Sequence, residues 1–187
     1  LLLAVHRNVE PLLADRGTTP HLVYLSATIT PSVLTMLDIP EDAITFRALK
    51  SRFDVERRPV YLVDAPRVDH KMTGEQLAYW LARIDKIIGK RLDRKGIIHT
   101  VSYQRQQFLL AHSKYAGLML APSRASELAA AVARFKASAA PRILVSPSVT
   151  TGWDFPGTDA EYQILAKIPF PDTRSAIARA RIRATSG

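Results

Sequence analysis

With 187 residues, 47% of them hydrophobic, the chain is long enough for one full α/β core and an appendage. Zero cysteines exclude a disulfide framework and a thiolate metal cluster. No apolar run reaches the roughly 18 residues of a membrane span and no basic-then-apolar leader is visible, so no membrane role and a cytoplasmic, intracellular setting are expected. A formal charge of +9 favours a polyanionic partner, although an Arg- and Ala-rich composition alone yields the same balance.

In chain order, Leu2, Val5, Val9, Leu12 and Leu13 recur at helical spacing and predict a helix over 1–14. Residues 22–25 predict a buried strand running into Ser26-Ala27-Thr28, and 31–37 a short helix, for which Thr30-Pro31 is a good N-cap and N1 pair. The stretch 38–58 is mixed and reads as irregular. A strand is expected at 60–63, then a helix over 75–92 burying Leu77, Trp80, Leu81, Ile84, Ile87 and Ile88, with Arg83, Lys86 and Lys90 on its other side. Strands at 96–101, 118–121, 142–146 and 162–168 follow, with helices at 104–113, 126–137 and 173–183. Strands alternating with helices imply a parallel sheet covered on both faces. The Ala-rich stretch 126–140 is packed rather than disordered, because Leu128, Val132 and Phe135 fall at helical spacing.

The residues with most chemistry lie at strand ends. Ile143 to Gly157 is an apolar strand followed by Thr150-Thr151-Gly152-Trp153-Asp154, and a second apolar strand closes on Pro169-Phe170-Pro171. Hydroxyls, a glycine and a carboxylate at the carboxyl end of a parallel strand suit a crevice that handles phosphate, since the side chains are short and the backbone can approach closely. The strand 96–101 likewise ends in Thr100, Ser102 and Tyr103.

Together these segments resemble superfamily 2 helicases of the DinG/XPD type. Ser26-Ala27-Thr28 is similar to motif III, Thr100-Val101-Ser102-Tyr103 to motif IV, and Thr150-Thr151-Gly152-Trp153-Asp154 to motif V. Ser51-Arg52-Phe53 resembles the interdomain crossing, and Pro169-Phe170-Pro171 the end of the next strand. The likeness runs from about Leu22 to Arg174. It implies an α/β, RecA-like helicase domain with a parallel sheet and helices on both faces: residues 1–50 would end a first motor domain and cross from it, and 51–187 would be the second motor domain. By the same resemblance, Ser26, Ala27 and Thr28 couple nucleotide state to grip, and Gly152 and Asp154 reach the nucleotide. Thr100, Ser102, Tyr103, Thr150 and Thr151 touch the nucleic acid.

The resemblance further implies ATP and Mg2+ as cofactors of an intact helicase, single-stranded DNA as partner with RNA not excluded, and contact with a first motor domain. No phosphate loop and no Asp-Glu box occur in this sequence: Gly89-Lys90 is followed by Arg91. The chain also starts at Leu1 and stops at Gly187, before the family's motif VI. It is therefore expected to be a piece of the motor without catalytic residues of its own, and any iron–sulfur cluster would lie upstream. Where DinG and XPD proteins carry Glu before the motif V glycine, Thr151 stands here.

Other readings stay open. Ser26-Ala27-Thr28 also suits a strand end beside a helix cap, and Asp154 could cap its own turn with Trp153 and Phe155 packed. Tyr103 and Trp153 suit base stacking, and Trp153 suits packing of a strand-end aromatic against the next helix at least as well. Histidines 6, 21, 70, 99 and 112 show no metal-ligand spacing. Arg174, Arg179, Arg181 and Arg183 lack the motif VI frame and read as a solvated or phosphate-facing helix side. Two other functions fit: a nucleic-acid-binding module without ATPase activity, and an unrelated nucleotide-binding α/β enzyme.

Overall fold

Alternate side chains of a strand point to opposite faces, so a strand apolar at consecutive positions must be covered on both sides. Strand β1 (Lys95–His99) is buried at every position, and the computed structural model gives it those two covers. The structure describes residues 23–26, 30–31, 41–50, 54–149, 152–169, 176 and 179. The chain divides into one unit of 1–59 with 171–187 and another of 60–170.

The second unit is an α/β fold around a four-stranded, all-parallel sheet. Its helices are α1 (Gly74–Gly89), α2 (Tyr103–His112) and α3 (Leu128–Ala137). The remaining strands are β2 (Met119–Leu120), β3 (Arg142–Ser146) and β4 (Tyr162–Leu165). The sheet order is β2-β3-β1-β4, with Ile97 opposite Leu144 on one side and Gln163 on the other. On the first face, Ile98, Ile143, Val145 and Ile164 pack under Trp80, Ile84 and Ile88 of α1 and Leu109 of α2. On the second, Ile97 and Leu144 pack under Leu128, Val132 and Phe135 of α3.

Local sequence sets the ends of these elements. Thr73 and Gln76 close a reciprocal box at the start of α1: Gln76 N donates to Thr73 Oγ1 at 3.2 Å and Thr73 N to Gln76 Oε1 at 2.9 Å. Ser102 caps α2, accepting from Arg105 N at 3.3 Å. Helix α1 stops at Gly89, earlier than the expected 92. Strand β4 ends at Leu165 rather than 168 because its partner turns away: Ala166 N makes the last bond to β1, at His99 O. Ala166 O is taken instead by Trp80 Nε1 at 2.9 Å.

Two expected strands are absent. Residues 23–26 and 60–63 form no ladder, and Val23, Leu25, Val60 and Leu62 are 80%, 91%, 89% and 99% exposed. An apolar run becomes a strand only where a neighbour takes its main-chain bonds, and no main-chain group of 60–63 makes a backbone hydrogen bond among the described residues. The irregular reading of 38–58 holds: short 3-10 turns at Glu41–Ala43 and Val55–Arg57 are its regular elements among the described residues. The helix expected at 1–14 lies outside the described residues, as do the one at 31–37 apart from Pro31 and the one at 173–183 apart from residues 176 and 179, both helical. No helix among the described residues is long and apolar enough to cross a membrane.

Candidate functional site

The carboxyl ends of β1 and β3 lie side by side, and the chain leaves them on opposite faces. After β1 it enters α2, whose Leu109 belongs to the first-face core. After β3 it passes through Val149 and on to Phe155, both packed with the second-face core. Adjacent parallel strands whose connections part in this way leave a crevice at their carboxyl edge, where open α/β sheets bind ligands. Thr100 N donates to Ser146 O at 3.2 Å and ties the two strand ends together.

The segment 100–106 and the chain after Ser146 lie at this carboxyl edge. Val101 has φ +63°, a left-handed conformation that a β-branched residue adopts only under strain, on the order of 1–3 kcal/mol. Beside it, Thr100 is fully buried, and among the described residues its Oγ1 has no hydrogen-bond partner. The Tyr103 hydroxyl and Gln106 Oε1 are likewise buried without partners, while Gln106 Nε2 donates to Pro122 O at 2.7 Å. Buried polar atoms are nearly always paired, so three unpaired ones within seven residues mark this stretch as unusual. Ser146, fully buried, accepts from Ser148 N through its Oγ at 3.1 Å.

Of the residues singled out from sequence, Thr100, Ser102 and Tyr103 meet at the turn from β1 into α2, but they differ in what they offer. Thr100 has no exposed surface, Ser102 is half-buried and spends its hydroxyl on the helix cap, and Tyr103 is half-buried. Gly152 (φ +78°) and Asp154 are exposed, and Asp154 makes no hydrogen bond or ion pair among the described residues. Trp153 is 38% exposed, whereas Phe155 packs with its ring 6.0 Å from that of Phe135. Ser26 is exposed; Ala27, Thr28, Thr150 and Thr151 lie outside the described residues.

Sequence reading missed Val101, Gln106 and Ser146. Gln106 had a faint signal, a polar residue three positions after Tyr103 and three before the buried Leu109. Nothing in the sequence signals the left-handed valine. Among the described residues no three His, Cys, Asp or Glu gather as metal ligands.

His99, at the end of β1, is 9% exposed, and its Nε2 lies 3.1 Å from Gln163 Oε1. Burial holds its pKa below the ordinary 6.5, against the opposing hydrogen bond. The unfolded chain therefore takes up this proton first, so the stability that His99 supports is full above pH 6.5 and is lost as pH falls through the folded-state value. Urea unfolding of the protein is expected to show a midpoint that drops on acidification from about pH 7 to 5. In His99→Asn that drop should be smaller. An unchanged profile would assign the acid sensitivity elsewhere.

No protein-family profile, curated protein or solved structure matches this chain, so the functional reading rests on the site's own chemistry and on its motifs.

Proposed function

We propose that the chain carries the second RecA-like motor domain of a DinG/XPD-type superfamily 2 DNA helicase. In this reading it forms one wall of an ATP cleft and part of the track for single-stranded DNA. One observation supports it above the others: the segments resembling motifs IV and V leave neighbouring parallel strands at the same sheet edge, joined through Thr100 N and Ser146 O. A motor needs that arrangement, because the loop sensing nucleotide and the loop holding the strand must move as one body.

In this mechanism, ATP and Mg2+ bind between this domain and a first motor domain carrying the phosphate loop and metal-holding carboxylates. Gly152 lets the backbone approach the nucleotide, and Asp154, exposed and without a hydrogen bond or ion pair among the described residues, supplies a carboxylate. Tyr103 offers part of a ring face to a base. Cleft closure on ATP and opening after hydrolysis would advance the strand.

Titrating a fluorescent single-stranded oligonucleotide at several salt concentrations tests the track. Affinity is expected to fall linearly with salt on logarithmic axes. Tyr103→Ala should weaken binding by about 1–3 kcal/mol, one stacking contact, without changing the slope, since no charge is removed. If Tyr103→Ala is silent while replacing Lys86 and Lys90 abolishes binding, the contact is the basic side of α1 and the proposed track is wrong.

A further inference from the structure

The run Val60-Tyr61-Leu62-Val63 is apolar and β-branched or aromatic in composition, yet its residues are 89%, 74%, 99% and 45% exposed. No main-chain group of 60–63 takes part in a backbone hydrogen bond among the described residues. Strand β4 has the complementary deficit. Among the described residues it pairs with β1 alone, so its outer row of N–H and C=O groups is open there, and Leu165 and Ile168 beside it are 64% and 65% exposed. An apolar edge strand left open in this way is a template for another strand.

The run is already held near that edge and in a usable direction. Helix α1 lies antiparallel to the sheet strands, with Trp80 Nε1 on Ala166 O past the end of β4 and the Arg91 guanidinium 5.6 Å from the ring of Tyr162 at its start. Asp64 is fixed toward the Trp80 end, where its O accepts from Arg83 Nε at 2.8 Å and its carboxylate from the Tyr79 hydroxyl at 3.1 Å. Val63 precedes it, lining a groove of about 280 Å³ with Arg83, Ile87 and Arg91. The chain entering Asp64 thus advances toward the carboxyl edge of the sheet, the same way as β4.

Handedness agrees. From β1 to β2 the chain crosses in one direction along the sheet over the first face, and from β2 to β3 it returns over the second. Opposite directions on opposite faces give crossovers of one hand, as parallel sheets require. A strand beyond β4, followed by α1 on the first face and then by β1, would travel in the β1-to-β2 direction over the same face and would keep that hand.

The geometry points to Val60–Val63 as the occupant of the open β4 edge, docking as a fifth parallel strand and making α1 the crossover of a complete β-α-β unit. Val63 faces α1, so alternation puts Tyr61 on the same side and Leu62 on the second face. There the β4 positions are Gln163 and Leu165, since Tyr162 and Ile164 belong to the first-face core. This inference is independent of the helicase reading.

The chain has no cysteine, so paired substitutions report proximity cleanly. In the full chain, Leu62→Cys with Gln163→Cys, or Leu62→Cys with Leu165→Cys, should close an intramolecular disulfide on mild oxidation, because paired strands bring Cα atoms within bonding range. Leu62→Cys with Leu120→Cys, on the opposite edge of the sheet, should not. Amide exchange, read on the unsubstituted protein, decides the matter: residues within 60–63 should exchange at least about tenfold more slowly than an unstructured peptide. Exchange at the unprotected rate overturns the proposal whatever the thiols do, and so does a crosslink that forms only between molecules, which would assign the edge to a second copy.

Discussion

Replacing Lys95 by Met is expected to lower the unfolding free energy by about 3 kcal/mol, a large share of a small domain's stability. Lys95 is 5% exposed, at the start of the central strand. Its Nζ donates to the carbonyls of Phe135, Lys136 and Ser138 at 3.2, 3.0 and 3.1 Å. These are acceptors at the carboxyl end of α3, where its dipole is negative, and Phe135 O is shared with Ser138 N and Oγ. The ammonium also lies 3.8 Å from Asp159 Oδ1. Methionine keeps most of the volume but leaves the Lys136 and Ser138 carbonyls without this donor, while Phe135 O keeps Ser138 N and Oγ, and among the described residues it leaves Asp159 with Lys136 alone, at 3.9 Å. Urea denaturation measures the loss as a lower midpoint at unchanged slope. A loss below about 1 kcal/mol would mean that water serves those carbonyls as well as the lysine does.

Gly96→Ala is expected to cost about 1–3 kcal/mol, although alanine suits a strand at least as well as glycine. Gly96 pairs with Tyr162 across β1 and β4, and the tyrosine ring lies over the bare backbone, where an added Cβ would fall among the ring atoms. The ring must then swing away and give up its contact with the Arg91 guanidinium. Tyr162→Leu alone should also destabilise, through lost packing. The double variant should cost less than the two single costs together, because the clash needs both partners. Strict additivity would show that the ring does not constrain position 96.

Much of this fold was legible because its signals are local. The apolar stripe of α1 and the apolar residues of β1, β3 and β4 all fall within a few residues of the structure they specify. What stayed hidden depends on partners distant in sequence. Lys95 reads as a surface charge until α3, forty residues on, brings its carbonyls back to it. The run at 60–63 has a strand's composition, but pairing is a property of two segments. At the candidate site, the positions of Thr100, Ser102 and Tyr103 were readable as a strand end. Their unequal exposure follows from the strained turn at Val101, which has no sequence signature.

The order β2-β3-β1-β4 also bears on how the chain is made. The central strand is the first of the four to be synthesised, and both its neighbours come later, the last of them about 65 residues further on. At roughly 5–20 residues per second, β1 waits several seconds for its second partner. During that interval a segment that is buried at every position in the folded protein is without its ladder, and α1, already made, is the nearest cover for one side of it. Nascent chains of this protein should therefore be most sensitive to aggregation, and most in need of chaperone shielding, in the window between completion of β1 and emergence of β4.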